Sequence, residues 1–242
     1  MSFASNGSWS APLEYSKALR KELGQKRGQV GQILLRGDGV QSDSEEGIFW
    51  LRRGAADGDA DAQYDLGRCY EQGRGVDVDV ASAALWYQEA AKQGHDKAIC
   101  ALGYCYAKGE GVQQDQEMAA KLFLRAAQLK MPEGQYNLAV CYARGRGVKK
   151  DMERAAEMYM KASLNGHKAA TSNLGLIYEE GDGVAKDASR AVEIYKKGWK
   201  ELKCDVCQYH YARCLFRGVG VPMDKDLAAK VLGPKVWELG SR

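Results

Sequence analysis

The segment Gly73-Arg74-Gly75-Val76-Asp77-Val78-Asp79 carries the pattern that decides how this chain folds. Gly-x-Gly-Val, with an Asp three residues after the Val, occurs six times, and the copies begin at Gly37, Gly73, Gly109, Gly145, Gly181 and Gly218. Successive copies are 36 residues apart, except for the last two, which are 37 apart. A fixed period of this length is typical of proteins built from stacked repeats, in which each repeat contacts its sequence neighbours. We therefore expect a repeat protein.

Each copy of the pattern lies between two segments with helical periodicity. In the second repeat, Leu66 and Tyr70 fall on one face of the preceding segment, and the small Gly67 beside Leu66 allows a second helix to approach closely. The following segment, residues 83–91, is rich in Ala and carries an aromatic residue at Trp86. Each repeat is therefore predicted to consist of a helix, a glycine-containing loop and a second helix.

The loop residues suit the two helix ends that they join. The first Gly can adopt the left-handed conformation that closes a helix C-terminus. The Asp after the loop Val can accept a hydrogen bond from the free amides of the second helix. The six Asp residues predicted to cap in this way are Asp43, Asp79, Asp115, Asp151, Asp187 and Asp224.

The combined motifs resemble the Sel1-like repeat family, relatives of the tetratricopeptide repeat with a longer loop. The resemblance rests on Leu-Gly-x-x-Tyr, Gly-x-Gly-Val-x-x-Asp and Ala-x-x-Trp/Phe-Tyr followed by Ala-Ala, and it covers residues 24–233. It implies an all-α fold, a right-handed α-α superhelix of about six helix-loop-helix repeats. We expect residues 1–23 to form a polar leader and a capping helix, and residues 234–242 to form a C-terminal cap.

Composition excludes several classes of function. The chain of 242 residues has a net charge of +3, which gives no indication of nucleic-acid binding. Residues 1–10 lack the apolar run of a signal peptide, and no apolar stretch approaches the length of a membrane span. We expect a cytoplasmic protein without membrane insertion.

Seven cysteines raise the question of disulfides and metal. Neighbouring helices pack roughly 8–10 Å apart, whereas a disulfide needs Cα atoms within about 7 Å, so buried free thiols are favoured at the equivalent positions Cys69, Cys105, Cys141 and Cys214. A C-terminal run, Cys204-x-x-Cys207-x-x-His210-x-x-x-Cys214, has ligand types that suit zinc. Its first and last members would lie about 15 Å apart along one helix, so no metal site or cofactor is expected. A redox-active Cys-x-x-Cys remains a minor alternative.

Motifs for catalysis are missing from the sequence. The Gly-x-Gly pairs lack the third Gly and the preceding strand of a phosphate-binding loop, and no hydrolase or protease motif occurs. Some secreted, cysteine-rich Sel1-like proteins are linked to β-lactam hydrolysis, but they carry a paired cysteine in each repeat, which this chain lacks. We therefore expect no enzyme and no small-molecule substrate, and a β-lactamase-like hydrolase is the weakest alternative.

The resemblance implies a protein-interaction scaffold that binds a partner segment on its concave face, which the first helices line. The residues that vary between repeats would give specificity: aromatic faces for side chains and Asn amides for the backbone. The predicted partner-binding residues are Tyr64, Arg68, Tyr104, Tyr136, Asn137 and Asn173. The tyrosines could instead pack between helices, and a permanent subunit or assembly factor of a larger complex is the alternative function.

Overall fold

A computed structural model describes residues 27–233. The predicted leader and capping helix at residues 1–23, and the predicted cap at residues 234–242, lie outside the described residues. The described part of the chain contains twelve α-helices and no strand. It divides into two compact units, residues 27–114 (unit 1) and residues 115–233 (unit 2).

Unit 1 contains five helices, each packed against its neighbour in sequence. They are α1 (Arg27–Arg36), α2 (Ser44–Ala56), α3 (Ala60–Gln72), α4 (Val80–Lys92) and α5 (Asp96–Lys108). The first helices of the first two repeats, α1 and α3, also touch each other. This contact places the varying residues of both helices on one surface.

Unit 2 contains seven helices in the same serial arrangement. They are α6 (Gln116–Gln128), α7 (Pro132–Arg144), α8 (Met152–Leu164), α9 (Lys168–Glu180), α10 (Ala188–Leu202), α11 (Asp205–Arg217) and α12 (Lys225–Leu232). The prediction of an all-α fold made from helix-loop-helix repeats is confirmed. None of the helices between residues 27 and 233 is long and apolar enough to cross a membrane.

The capping predictions are also confirmed. All six predicted Asp residues are N-caps whose carboxylates accept backbone amide hydrogen bonds, as in Asp151, which accepts from Arg154 N–H at 3.0 Å. The backbone N–H of Asp151 also donates to the Tyr142 carbonyl at 3.0 Å, which closes the loop. The first Gly of the loop ends the preceding helix in the left-handed conformation, with φ of 66° at Gly145.

A close backbone approach explains the second Gly of the loop. A Cβ added at Gly147 would lie 1.9 Å from the carbonyl oxygen of Gln116, the first residue of α6. The loop of one repeat therefore lies against the first turn of the second helix of the preceding repeat. Gly147 also has a φ of 67°, so the position excludes a side chain for two reasons.

The small residue of the Leu-Gly-x-x-Tyr motif has the predicted packing role. A Cβ on Gly175 in α9 would lie 2.2 Å from a ring carbon of Tyr195 in α10, and Gly67 in α3 faces Tyr87 in α4 in the same way. Both tyrosine rings are almost completely buried. Each ring therefore fixes how closely the two helices of its repeat approach.

Candidate functional site

Unit 1 contains an open cavity of about 590 Å³ on the surface formed by α1, α3 and the start of α5. Tyr64 and Arg68, two of the predicted partner-binding residues, line it. Its other polar lining side chains are Gln29, Gln32, Arg36, Asp38, Asp59, Asp61, Asp65, His95 and Lys97. The cavity therefore combines carboxylates, cations and amides, and it contains part of the predicted surface.

The sequence prediction missed Gln29 and Gln32, although a signal for both was present. They occupy the positions of Asp65 and Arg68 one period earlier. The first repeat departs from the Leu-Gly-x-x-Tyr motif, so the columns of varying residues were read from the second repeat onward. Extending those columns backwards by 36 residues identifies both glutamines.

Asp65 is a partly buried carboxylate in the cavity. Burial raises the pKa of its carboxyl group, while the guanidinium groups of Arg36 and Arg68 act in the opposite direction. Within residues 27–233 its carboxylate has no hydrogen bond or salt bridge, and the same is true of the side chains of Gln29, Gln32 and Arg68. The polar atoms of these four side chains reach solvent, so a ligand can form hydrogen bonds with them directly.

Tyr64 supports the cavity wall and also packs inside the unit. Its ring stacks on His95 with 4.7 Å between centroids, and it lies 5.7 Å from the ring of Tyr87. The Nδ1 atom of His95 accepts the Ala98 N–H at 3.1 Å, and its Nε2 atom lies 3.1 Å from Asp61 Oδ1. One face of Tyr64 is therefore covered by a residue that caps α5.

Tyr104, the third predicted residue in unit 1, does not line the cavity. It lies on α5 and is 39% exposed.

In unit 2, the three predicted residues already have partners within the unit. Tyr136 stacks on His167 with 4.4 Å between centroids. Asn137 is 8% exposed, and its Nδ2 atom donates to the Glu133 carbonyl at 2.8 Å. Asn173 hydrogen-bonds to the Tyr159 hydroxyl, a contact that lowers the pKa of Tyr159 against the stronger opposite effect of burial. The Tyr136 ring therefore packs against the residue that caps α9, and the amides of Asn137 and Asn173 are engaged within the unit.

All seven cysteines are buried free thiols, as predicted for the equivalent positions. Burial raises the pKa of Cys69, Cys141 and Cys214, and it raises that of Cys105 to about 11. Residues 27–233 contain no group of three or more side chains placed to hold a metal ion. The geometric reason at the C-terminal run is that Cys204 caps the start of α11, whereas Cys214 lies near its end.

The Sel1 repeat model matches six segments of the chain, residues 28–59, 60–95, 96–131, 132–167, 168–198 and 205–230. The chain belongs to the Sel1 repeat family. Proteins of this family generally serve as protein-interaction scaffolds, and their fold is typically non-enzymatic. The match to six repeats agrees with the six loops of the sequence.

Solved structures of other Sel1 repeat proteins are similar to this chain. A protective antigen present in uropathogenic Escherichia coli strains, c5321, is 31% identical with a TM-score of 0.84 over 90% of this chain. The match covers 47% of that protein, so this chain spans about half the length of the antigen. A Sel1 repeat protein from Oxalobacter formigenes is 28% identical with a TM-score of 0.76, and the match covers 88% of each chain. No curated protein matches the chain.

Proposed function

We propose that this Sel1 protein is a non-catalytic scaffold that binds an extended segment of a partner protein in the cavity of unit 1, across α1 and α3. The observation that carries the proposal is that four polar side chains on these two helices form no hydrogen bond or salt bridge within residues 27–233: Gln29, Gln32, Asp65 and Arg68. In unit 2, by contrast, the predicted amides of Asn137 and Asn173 are engaged within the protein.

The four side chains complement the backbone of an extended peptide. An ionised Asp only accepts hydrogen bonds, an Arg only donates them, and a Gln does both. Peptide N–H groups can therefore pair with Asp65, and peptide carbonyl groups can pair with Arg68. The glutamine amides can bind either group, so the set tolerates a range of partner sequences.

Preorganisation adds to affinity at this site. The Tyr64 ring contacts the rings of both His95 and Tyr87, so it loses little conformational freedom when a partner binds. Ile33 of α1 contributes an apolar surface to the same cavity. A partner segment that places an apolar side chain between Ile33 and Tyr64 would bury it without rearranging the helices.

The test compares proteins that co-purify with the tagged full-length chain and with an Asp65→Asn/Arg68→Gln variant. Both substitutions remove a charge and leave a polar side chain, and Asp65→Asn also preserves the size of the side chain. The control variant, Asp182→Asn/Arg125→Gln, makes the same two charge changes at exposed positions of unit 2. A photoreactive residue in place of the exposed Gln29 identifies the partner segment that lies in the cavity.

The identified segment is then titrated as a synthetic peptide. Because a hydrogen bond to a charged group contributes about 1.5–3 kcal/mol, we expect Asp65→Asn to weaken binding about tenfold or more, and we expect the control to bind as the wild type does. Equal binding by the cavity variant would place the interface elsewhere on the protein. The absence of any near-stoichiometric partner of the wild type would contradict the scaffold function itself.

A further inference from the structure

Two cysteines meet at the junction between α10 and α11 in unit 2. Cys204 is the N-cap of α11, and its Sγ atom accepts the backbone N–H of Cys207 at 3.3 Å. The Cys204 thiol also lies 3.7 Å from the Lys168 carbonyl oxygen, to which it donates. The sulfur of Cys204 is therefore turned back over the first turn of α11, where Cys207 lies.

The positions of these residues suit a disulfide. Residues three apart on a helical turn have Cα atoms roughly 5 Å apart, and disulfides span about 4.4–6.8 Å between Cα atoms. The backbone N–H of Cys207 already donates to the Cys204 sulfur at 3.3 Å, which keeps that sulfur close to the Cys207 residue. A bond between the two sulfurs therefore needs side-chain rotation and little movement of the backbone.

Neither cysteine is required by its structural role. In the equivalent N-cap position the second to fifth repeats have Asp59, His95, Met131 and His167. In the position of Cys207, where a small residue packs against the preceding helix, they have Ala62, Ala98, Gly134 and Ala170. A serine and an alanine would satisfy the cap and the packing, so the pairing of two thiols is an additional property of this repeat.

We propose that Cys204 and Cys207 are a redox-sensitive dithiol that a small-molecule disulfide of the glutathione class oxidises to an intramolecular disulfide. The Cys204 thiolate attacks one sulfur of the reagent and releases one thiol. Cys207 then attacks the Cys204 sulfur of the mixed disulfide and releases the second thiol. The two cysteines lose two electrons and two protons, and the reagent is reduced to two thiols.

The structure assigns the order of the two attacks. Cys204 lies at the N-cap of α11 and is slightly exposed, whereas Cys207 is not exposed at all, so the reagent reaches the Cys204 sulfur first. Cys207 is fully buried, and burial raises the pKa of its thiol far above the usual range. Because Cys204 is only 4% exposed, we expect the first step to be slow.

The test uses the native full-length protein, oxidised glutathione as the reagent, and mass spectrometry after alkylation of the remaining thiols. We expect wild-type protein to lose two hydrogen atoms and to show a linked Cys204–Cys207 peptide that dithiothreitol releases. Cys207→Ala is expected to accumulate the mixed disulfide on Cys204. Cys204→Ser, which retains a capping side chain, is expected to form neither product.

The double variant Cys204→Ser/Cys207→Ala keeps the other five cysteines and serves as the matched control. Disulfide formation by the double variant at the wild-type rate would overturn the assignment. So would a wild-type disulfide that forms only after unfolding in denaturant, or a glutathione adduct on Cys207 in place of Cys204. This proposal concerns unit 2 and does not depend on the cavity proposed for partner binding in unit 1.

Discussion

The ring of His167 stacks on the ring of Tyr136 with 4.4 Å between their centroids, while its Nδ1 atom accepts the Ala170 N–H at 3.1 Å. Because a backbone amide can only donate, this contact requires an unprotonated Nδ1. His167 therefore caps α9 only in its neutral form. His95 repeats the arrangement in unit 1, where it stacks on Tyr64 and caps α5.

This geometry predicts a loss of stability in mild acid. Burial lowers the pKa of His167 below its usual value, and the negative charge of Glu133 opposes the shift. The unfolded chain, with a His pKa near 6.5, then binds the proton more tightly than the folded chain. The contribution of neutral His167 to the free energy of unfolding is complete above about pH 6.5. It decreases as the pH falls towards the lower pKa of His167 in the folded state.

The His167→Asn variant isolates this effect, because Asn caps a helix without titrating. Urea unfolding at pH 7.5 and at pH 5 measures the free energy of unfolding of both proteins. Between pH 7.5 and pH 5 we expect the wild type to lose more free energy of unfolding than His167→Asn loses. The difference between the two losses should approach the roughly 1 kcal/mol of one helix cap. Identical pH dependence of the two proteins would show that the cap survives protonation.

Gly147→Ala should destabilise the protein through a direct backbone clash. The new Cβ would lie 1.9 Å from the Gln116 carbonyl oxygen at a φ of 67°. Gly39→Ala is the matched control, because Gly39 is the second Gly of the first loop, has a φ of 75°, and has no atom within 4 Å of its added Cβ. We expect Gly147→Ala to cost about 1–3 kcal/mol more than the control in urea unfolding; equal costs would mean that backbone strain alone selects glycine.

The carboxylate of Glu179, in α9, contacts side chains of two other helices of unit 2, α10 and α11. Its Oε2 atom accepts a hydrogen bond from the Tyr195 hydroxyl at 3.0 Å and forms an ion pair with Arg213 at 2.5 Å. Glu179→Gln removes the charge that faces Arg213, and we expect a loss of about 1–3 kcal/mol in the free energy of unfolding. The exposed neighbour provides the control Glu180→Gln, for which little change is expected.

Alkaline titration gives a second measurement on the same variant. Burial and the charge of Glu179 hold the pKa of Tyr195 far above its usual value. Glu179→Gln removes the negative charge that raises the pKa of Tyr195. Tyr195 should therefore ionise at a lower pH in the variant, as measured by tyrosinate absorbance. An unchanged titration would mean that burial alone controls this hydroxyl group.

Asp151→Ala tests the caps that the sequence predicted. Asp151 accepts the Arg154 N–H at the start of α8, and its loss should destabilise the protein by about 1 kcal/mol. Asp151→Asn keeps the acceptor and should recover most of that loss. If Asn fails to recover it, the charge of Asp151, which also faces Arg154, matters more than the hydrogen bond.

Most of the fold could be predicted from the sequence because its signals are local. The Asp caps bond to amides two or three residues away, and the first loop Gly closes the helix that immediately precedes it. The cavity was only partly predicted. Tyr64 and Arg68 were found, but Gln29 and Gln32 lie in a repeat whose framework residues had changed.

The sequence by itself determined the number of repeats, the two helices of each repeat and the capping of their ends, because helical periodicity and capping act over a few residues. Only the tertiary structure decided which side chains are available to a partner. Asp61 and His95 are 34 residues apart, and Asn173 meets Tyr159 of the preceding helix. Hydrogen bonds and ring contacts between helices determine which side chains already have a partner inside the protein. These contacts depend on how neighbouring repeats stack.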